Sequence, residues 1–371
     1  PHETCIARLP TGQTAEQEIA RRQRRACKMK QSPVGSGDFV VRMRFAPTHS
    51  DSADPHVLRM SNVWLKSARA TFRYADGSQA EFAFASHDIT KVLTIGAIFE
   101  LPVPVRSADL ETVFLEAHGA GNMRGVVLGP RLMTRSESQT WRVQLTIIYS
   151  VFGGLALALI VYNLALWATL RHRFQLYYCG MVAALAAYAF SSSGLLNLVM
   201  PQVDNTVRLR CNYITLALAG VIALQFVRHF FGGRIIGRKL DRAILVISAV
   251  AFVSALAVIV FAPWQLTLLD RFYFLAMMAV ICLIPPMLLQ AWRAKSPYFV
   301  MVLAAWSAPL IISILRSLHG VNLIDYSFWL DNGNVIAFAL EALVSSVLVT
   351  ARLRELSYER DHARAGEEVA R

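Results

Sequence analysis

Glu341 lies near the middle of an apolar run long enough to cross a bilayer, where an ionisable side chain is costly and seldom without purpose. The other five acids between Arg142 and Thr350 (Asp204, Asp241, Asp270, Asp325 and Asp331) fall in links or at helix ends. The side chains best placed to meet Glu341 are Arg316, towards the end of the preceding span, and a polar set of Ser345, Asn163 and Asn212. Two kinds of chemistry suit such a group: a hydrogen-bonded lock between helices, which is the plainer expectation, or a proton-linked conformational switch.

A second set of chemically capable residues precedes the apolar runs. Cys5 and Cys27 lie in a polar stretch that the topology below places outside the membrane, where a disulfide can form. Closing that loop would contribute about 3 kcal/mol on a chain-entropy estimate. Trp64, Tyr74, Arg59, Arg73 and His118 are the residue types that sugars and acidic ligands meet, although each is also ordinary on a β-sheet surface. Asp51 and Asp54 lack the alternating spacing of a cation loop and read as a solvated turn, so no metal is expected. The basic cluster Arg21, Arg22, Arg24 and Arg25 reads as a solvated helix face, with contact to anionic lipid or glycan as the sharper alternative.

The elements that must position these residues are of two kinds. From Asp38 the apolar period is two: Phe39, Val41, Met43 and Phe45 alternate with polar or outward residues, as do Ala70, Phe72 and Tyr74. Asp76-Gly77 signals a tight hairpin between strands. Short strands punctuated by Gly, Pro and Asp predict a β-sandwich or jelly roll over residues 38–141, preceded by a Cys-bounded segment, 1–37. Seven apolar runs then follow over residues 142–350: Leu145 to Leu170, Phe174 to Leu198, Cys211 to Phe231, Leu240 to Phe261, Arg271 to Trp292, Tyr298 to Leu318 and Trp329 to Thr350. Each is near the roughly twenty residues that a helix needs to span the hydrocarbon core. Residues 351–371 prolong the last run as a charged helix with Leu353, Leu356, Ala363 and Ala370 at approximate heptad spacing.

Lysine and arginine crowd the links after the first, third and fifth runs, including Arg171, Arg173, Arg238, Lys239, Arg293 and Lys295. By the positive-inside rule those links are cytoplasmic, so the N-terminus lies outside and the C-terminus inside. The formal charge of +12 is then mostly topological, and nucleic acid is not expected as a partner. The start at Pro1 fits removal of a signal peptide or trimming of the chain. Lys239 and Lys295 sit in links, which argues against a retinal Schiff base, and His172, His229 and His319 sit in links on different sides, which argues against an embedded catalytic centre. No cofactor is expected, and Cys179, Cys211 and Cys282 read as small apolar packers.

The block Tyr162-Asn163-Leu164-Ala165-Leu166, followed by Arg171-His172-Arg173 and Leu176-Tyr177-Tyr178, resembles the first-to-second-helix signature of the bacterial seven-transmembrane receptors with diverse intracellular signalling modules. Arg228-His229-Phe230-Phe231 is similar to that family's third-helix exit, and Asn332-Gly333-Asn334 through Glu341, Ser345, Ser346, Arg352 and Leu353 to its last helix. The resemblance implies a bacterial inner-membrane receptor, multi-pass, embedded in lipid, whose outer jelly roll is similar to the family's second type of extracellular domain. It implies a carbohydrate-like small molecule or a periplasmic protein as ligand, and a homodimer joined through the C-terminal helix. It also implies an output module beyond Arg371, most in the style of a diguanylate cyclase acting in cyclic di-GMP signalling, with a histidine kinase as the second choice. On this reading residues 1–371 are not themselves an enzyme. A transporter or channel with Glu341 on its pathway is the alternative from another class, although no internal symmetry of the kind transporters carry is visible.

Overall fold

The computed structural model describes residues 1–9, 36–61, 64–121, 125–232, 235–262, 264–320, 323–324, 330 and 332–370, with side chains as far as Tyr358. Nine antiparallel strands among them form two sheets. One sheet has the order β1 (Glu3–Arg8), β2 (Gly37–Thr48), β8 (Leu110–Ala120), β4 (Ser67–Tyr74) and β5 (Gln79–Ala85). The other has the order β6 (Leu93–Thr94), β7 (Ile98–Pro102), β3 (His56–Ser61) and β9 (Leu128–Thr134). A short 3-10 helix, Ser86–Lys91, links β5 to β6.

The period-two pattern is realised most cleanly in β4, where Ala68, Ala70, Phe72 and Tyr74 are buried while Arg69 and Arg73 point outward. Phe39, Val41 and Met43 of β2 join them, and Leu58, Phe99 and Leu101 reach in from the second sheet, so that one apolar core lies between the two layers. The predicted hairpin forms: Gly77 takes φ of +82°, and the Asp76 carboxylate accepts the Ser78 N–H at 2.9 Å.

Two expected boundaries move. Glu3–Arg8 is an edge strand of the first sheet, paired antiparallel with β2, so the first residues belong to the sandwich rather than to a separate segment 1–37. Cys5 is fully buried on that strand and is disulfide-bonded; Cys27, its predicted partner, lies outside the described residues, as does the basic run Arg21 to Arg25. The first long helix begins at Arg135, ten residues before the apolar run, because Thr134 and Glu137 form a reciprocal capping box. That cap, rather than hydropathy, sets the start.

Among the described residues the α-helices are α1 (Arg135–Leu170), α2 (Arg173–Ser192), α3 (Leu195–Val199), α4 (Asn205–Phe231), α5 (Arg238–Phe261), α6 (Leu266–Arg293), α7 (Phe299–Gly320) and α8 (Asn334–Ala370). Seven of them, all but α3, are long and apolar enough to span a membrane. Val151, Val161, Val253, Leu275, Val300 and Val347 are exposed on their outer faces, an arrangement suited to lipid rather than water. The second predicted run is broken at Gly194, whose φ of +84° turns the chain into α3. Pro285 and Pro286 lie inside α6, and Pro309 inside α7.

Candidate functional site

Polar contacts fasten the sandwich to the helices at several places among the described residues. The turn before β7 sits on the end of α2, where the Gly96 and Ala97 N–H groups donate to the Ser193 carbonyl at 2.8 and 3.1 Å. Glu100 of β7 accepts from Ser138 Oγ of α1 at 2.5 Å and from Arg142 Nη2 at 2.9 Å, with Arg59 Nε at 3.8 Å. Ser86 donates to the Asp204 carboxylate at 2.7 Å, and Asp204 also accepts the Thr206 N–H that caps α4. Burial would push the Asp204 carboxyl up, yet the Thr206 and Ser86 hydroxyls and the Thr206 N–H together hold it below the usual carboxylate range.

Beneath these contacts lies a cavity of about 420 Å³ between α2, α4, α6, α7 and α8. Its walls are mostly aliphatic and aromatic, but Asp270, Arg316 and Glu341 all line it, and Trp64 of the sandwich reaches its outer end. Trp64 is 5% exposed, and its ring lies 6.2 Å from that of Tyr213. Tyr213 donates its hydroxyl to Asp270 at 2.7 Å, and Tyr273 donates to the Tyr213 carbonyl at 3.0 Å. A smaller cavity of about 130 Å³ shares Arg316 and Asn212 with the first and is also lined by Gly96, Ala97, Arg208 and Asn332. Helix packing therefore places the sandwich's docking turn, the buried Arg208 and the intramembrane Glu341 along one connected set of walls.

Glu341 is buried, and Ser345 Oγ, one turn on in the same helix, donates to it at 3.3 Å. Of the partners predicted from sequence, Ser345 is the one that bonds it. Arg316 and Asn212 line the same cavity. Asn163 of α1 is fully buried and donates to Ser346 Oγ at 3.2 Å, tying α1 to α8 just beyond Glu341.

The residues predicted to meet an outer ligand do not converge. Arg59 is buried under β9, close to Glu100 and the Met133 sulfur, and Tyr74 is buried with its hydroxyl donating to the Pro104 carbonyl. Arg73 is exposed on β4, His118 is half-buried with Nδ1 3.5 Å from Asp38, and Trp64 belongs to the bundle interface. Asp54 accepts the Ser136 N–H at 2.9 Å and the Ser136 hydroxyl at 2.6 Å, so it supports the start of α1. The hydroxyl of Ser136 and its N–H hold the Asp54 carboxyl below its ordinary range.

Sequence reasoning missed Arg208 and the tyrosines. Arg208 and Arg210 precede the third predicted run, Cys211 to Phe231, yet both lie on α4. Arg208 is 1% exposed, donating to the Ser191 carbonyl at 3.0 Å and to Asn205 Oδ1 at 3.0 and 3.2 Å. Tyr178 is fully buried and donates to the Ala342 carbonyl at 2.7 Å, next to Glu341. The Asp204 cap preceding Arg208 was the available signal, since it starts α4 six residues before the apolar run.

At the opposite end of the bundle α8 is held again. Tyr298 donates to Glu355, Arg352 bonds the same carboxylate, and the Arg352 guanidinium lies 5.5 Å from the Tyr298 ring centroid. The Tyr298 ring packs edge-on against Phe230 of α4.

A family model described as 7TM diverse intracellular signalling matches residues 145–352. No curated protein matches the chain.

Proposed function

The chain belongs to the 7TM diverse intracellular signalling family, and from that membership we propose that it senses a ligand or partner at its sandwich and passes a conformational change through seven helices to a cytoplasmic output module. The coarse statement, a multi-pass membrane receptor whose signalling is intracellular, is the family's own. The observation that supports the relay is the double attachment of α8. It flanks the cavity that Trp64 closes through Phe338 and Glu341, and 14 residues after Glu341 it is clasped by Tyr298 at Glu355. At 1.5 Å per residue its 37 residues extend about 55 Å, enough to carry a displacement across a bilayer.

On this reading the sandwich is periplasmic, the membrane is a bacterial inner membrane, and the C-terminal helix pairs with that of a second copy. The link charges support the orientation. The output is a diguanylate cyclase, with a histidine kinase as the second choice, and the ligand is a carbohydrate-like small molecule or a periplasmic protein. A ligand moves such a system only by preferring one bundle state over the other.

Single cysteines from Leu353 to Tyr358 test the relay by disulfide cross-linking between copies in membranes. Glu100→Gln weakens the junction, and the relay requires the cross-linking pattern to shift in that background. A pattern identical to the parent's overturns it. A transporter is the second reading, favoured by the presence of Glu341 on a cavity wall. Solute flux in proteoliposomes that disappears in Glu341→Gln would replace the receptor with it.

A further inference from the structure

We propose that the bundle cavity is a binding site for a lipophilic amine, a protonated nitrogen on an apolar body. Its volume, about 420 Å³, falls within the span of small-molecule sites. Leu216, Val280, Ile284 and Leu310 contribute to an apolar wall that would bury the body of such a ligand.

The head group is selected by how charge is distributed with depth. Asp270 lies four residues into α6 and Arg316 four residues before the end of α7, so both sit about 6 Å inside the sandwich-side helix ends. At that level Asp270 is engaged by the Tyr213 hydroxyl at 2.7 Å. Glu341 is seven residues into α8, about 10 Å in, roughly a turn deeper. A carboxylate has about four acceptor positions. Among the described residues the donor to Glu341 is one hydroxyl, that of Ser345, on its own helix.

The deep half of the cavity therefore presents an acid with no cationic partner among the described residues, one that can pass its proton to a bound amine. Tyr188, Trp306 and Phe338 line the cavity with Glu341, the Tyr188 and Phe338 rings being 6.1 Å apart, and aromatic faces attract an ammonium group. An anionic amphiphile would have to stop at the Arg316 level beside Asp270. A neutral one would offer the acid no base to take its proton. The amine satisfies both the apolar wall and the acid.

The test holds the tail constant and varies the head. Protein in nanodiscs of zwitterionic lipid is titrated with octylamine, octanol and octanoate, with thermal unfolding and tryptophan quenching as readouts. Octylamine should raise the melting temperature saturably, while octanol and octanoate at matched concentration should not. Glu341→Gln should weaken the octylamine effect by roughly tenfold or more in apparent affinity. Ala223→Leu, which keeps Glu341 but fills the wall of the cavity, should abolish the effect and decides the matter should Glu341→Gln not fold. Equal or better stabilisation by octanoate, a non-saturating effect shared by all three, or an undiminished octylamine response in either variant overturns the site. Because binding is read without any output, its failure leaves the relay untouched, and failure of the relay leaves the site untouched.

Discussion

A single carboxylate, Asp204, serves two domains: it caps α4 through the Thr206 N–H and receives the Ser86 hydroxyl from the sandwich. Its value in the folded protein lies below the ordinary range, so it contributes stability that is present above the unfolded value of about 4 and is lost as the pH falls through the lower folded value. Asp204→Asn should lower the melting temperature at neutral pH, and the gap to the parent should narrow on acidification below about pH 4. A gap independent of pH would mean that the charge itself contributes nothing. Glu341 was legible from sequence because an acid in an apolar run stands out. Its bond to Ser345 was one of several combinations the sequence allowed, since helix rotation decides which neighbours face it. Arg208 escaped notice because an arginine near a run's edge reads as a loop cation until the Asp204 cap extends the helix beneath it.

Among the elements, the turn from β6 to β7 is the one that seats the sandwich on α2. Gly96 has φ of +91°, and a Cβ there would stand 2.8 Å from Leu145 Cδ1, so Gly96→Ala meets both backbone strain and a clash with α1. The strain alone is worth roughly 1–3 kcal/mol, and the substitution should lower the melting temperature while loosening the turn from the Ser193 carbonyl. Hydrogen exchange at Gly96 and Ala97 is the measurement; protection equal to the parent's would disprove the seating role. The strands and spans themselves were readable from their periods, two in the sandwich and long apolar runs in the bundle. What periodicity could not give was pairing. Nothing in Glu3–Arg8 announces that it adds to β2, because an edge strand is chosen by the neighbour it completes. The dispersal of Arg59, Tyr74, Arg73 and His118 has the same origin: residue type was visible, but the sheet and the face that each occupies depend on register.

At the scale of the whole molecule, two domains meet through hydrogen bonds and a buried aromatic contact. Trp64 carries this most plainly, since it was read as an outer ligand contact and instead lies against Tyr213 at the mouth of the bundle cavity. Domain junctions of this kind are hidden from sequence because a tryptophan on a sandwich looks the same whether it faces a sugar or another domain. The covalent junction is equally tight. Thr134 is at once the last residue of β9 and the N-cap of α1, with no connecting loop. A Gly-Ser pair inserted between Thr134 and Arg135 should leave both domains folded but remove any influence of Glu100→Gln on cross-linking of α8; a retained influence would show that the non-covalent contacts suffice. That seam also bears on how the protein could be rebuilt. A foreign sensor domain grafted upstream of Arg135 would have to end in a strand whose last residue caps the helix and whose twist fixes its heading. Exchange at this point is therefore a matter of phase as well as sequence, and most grafts would arrive out of step with the helices they are meant to drive.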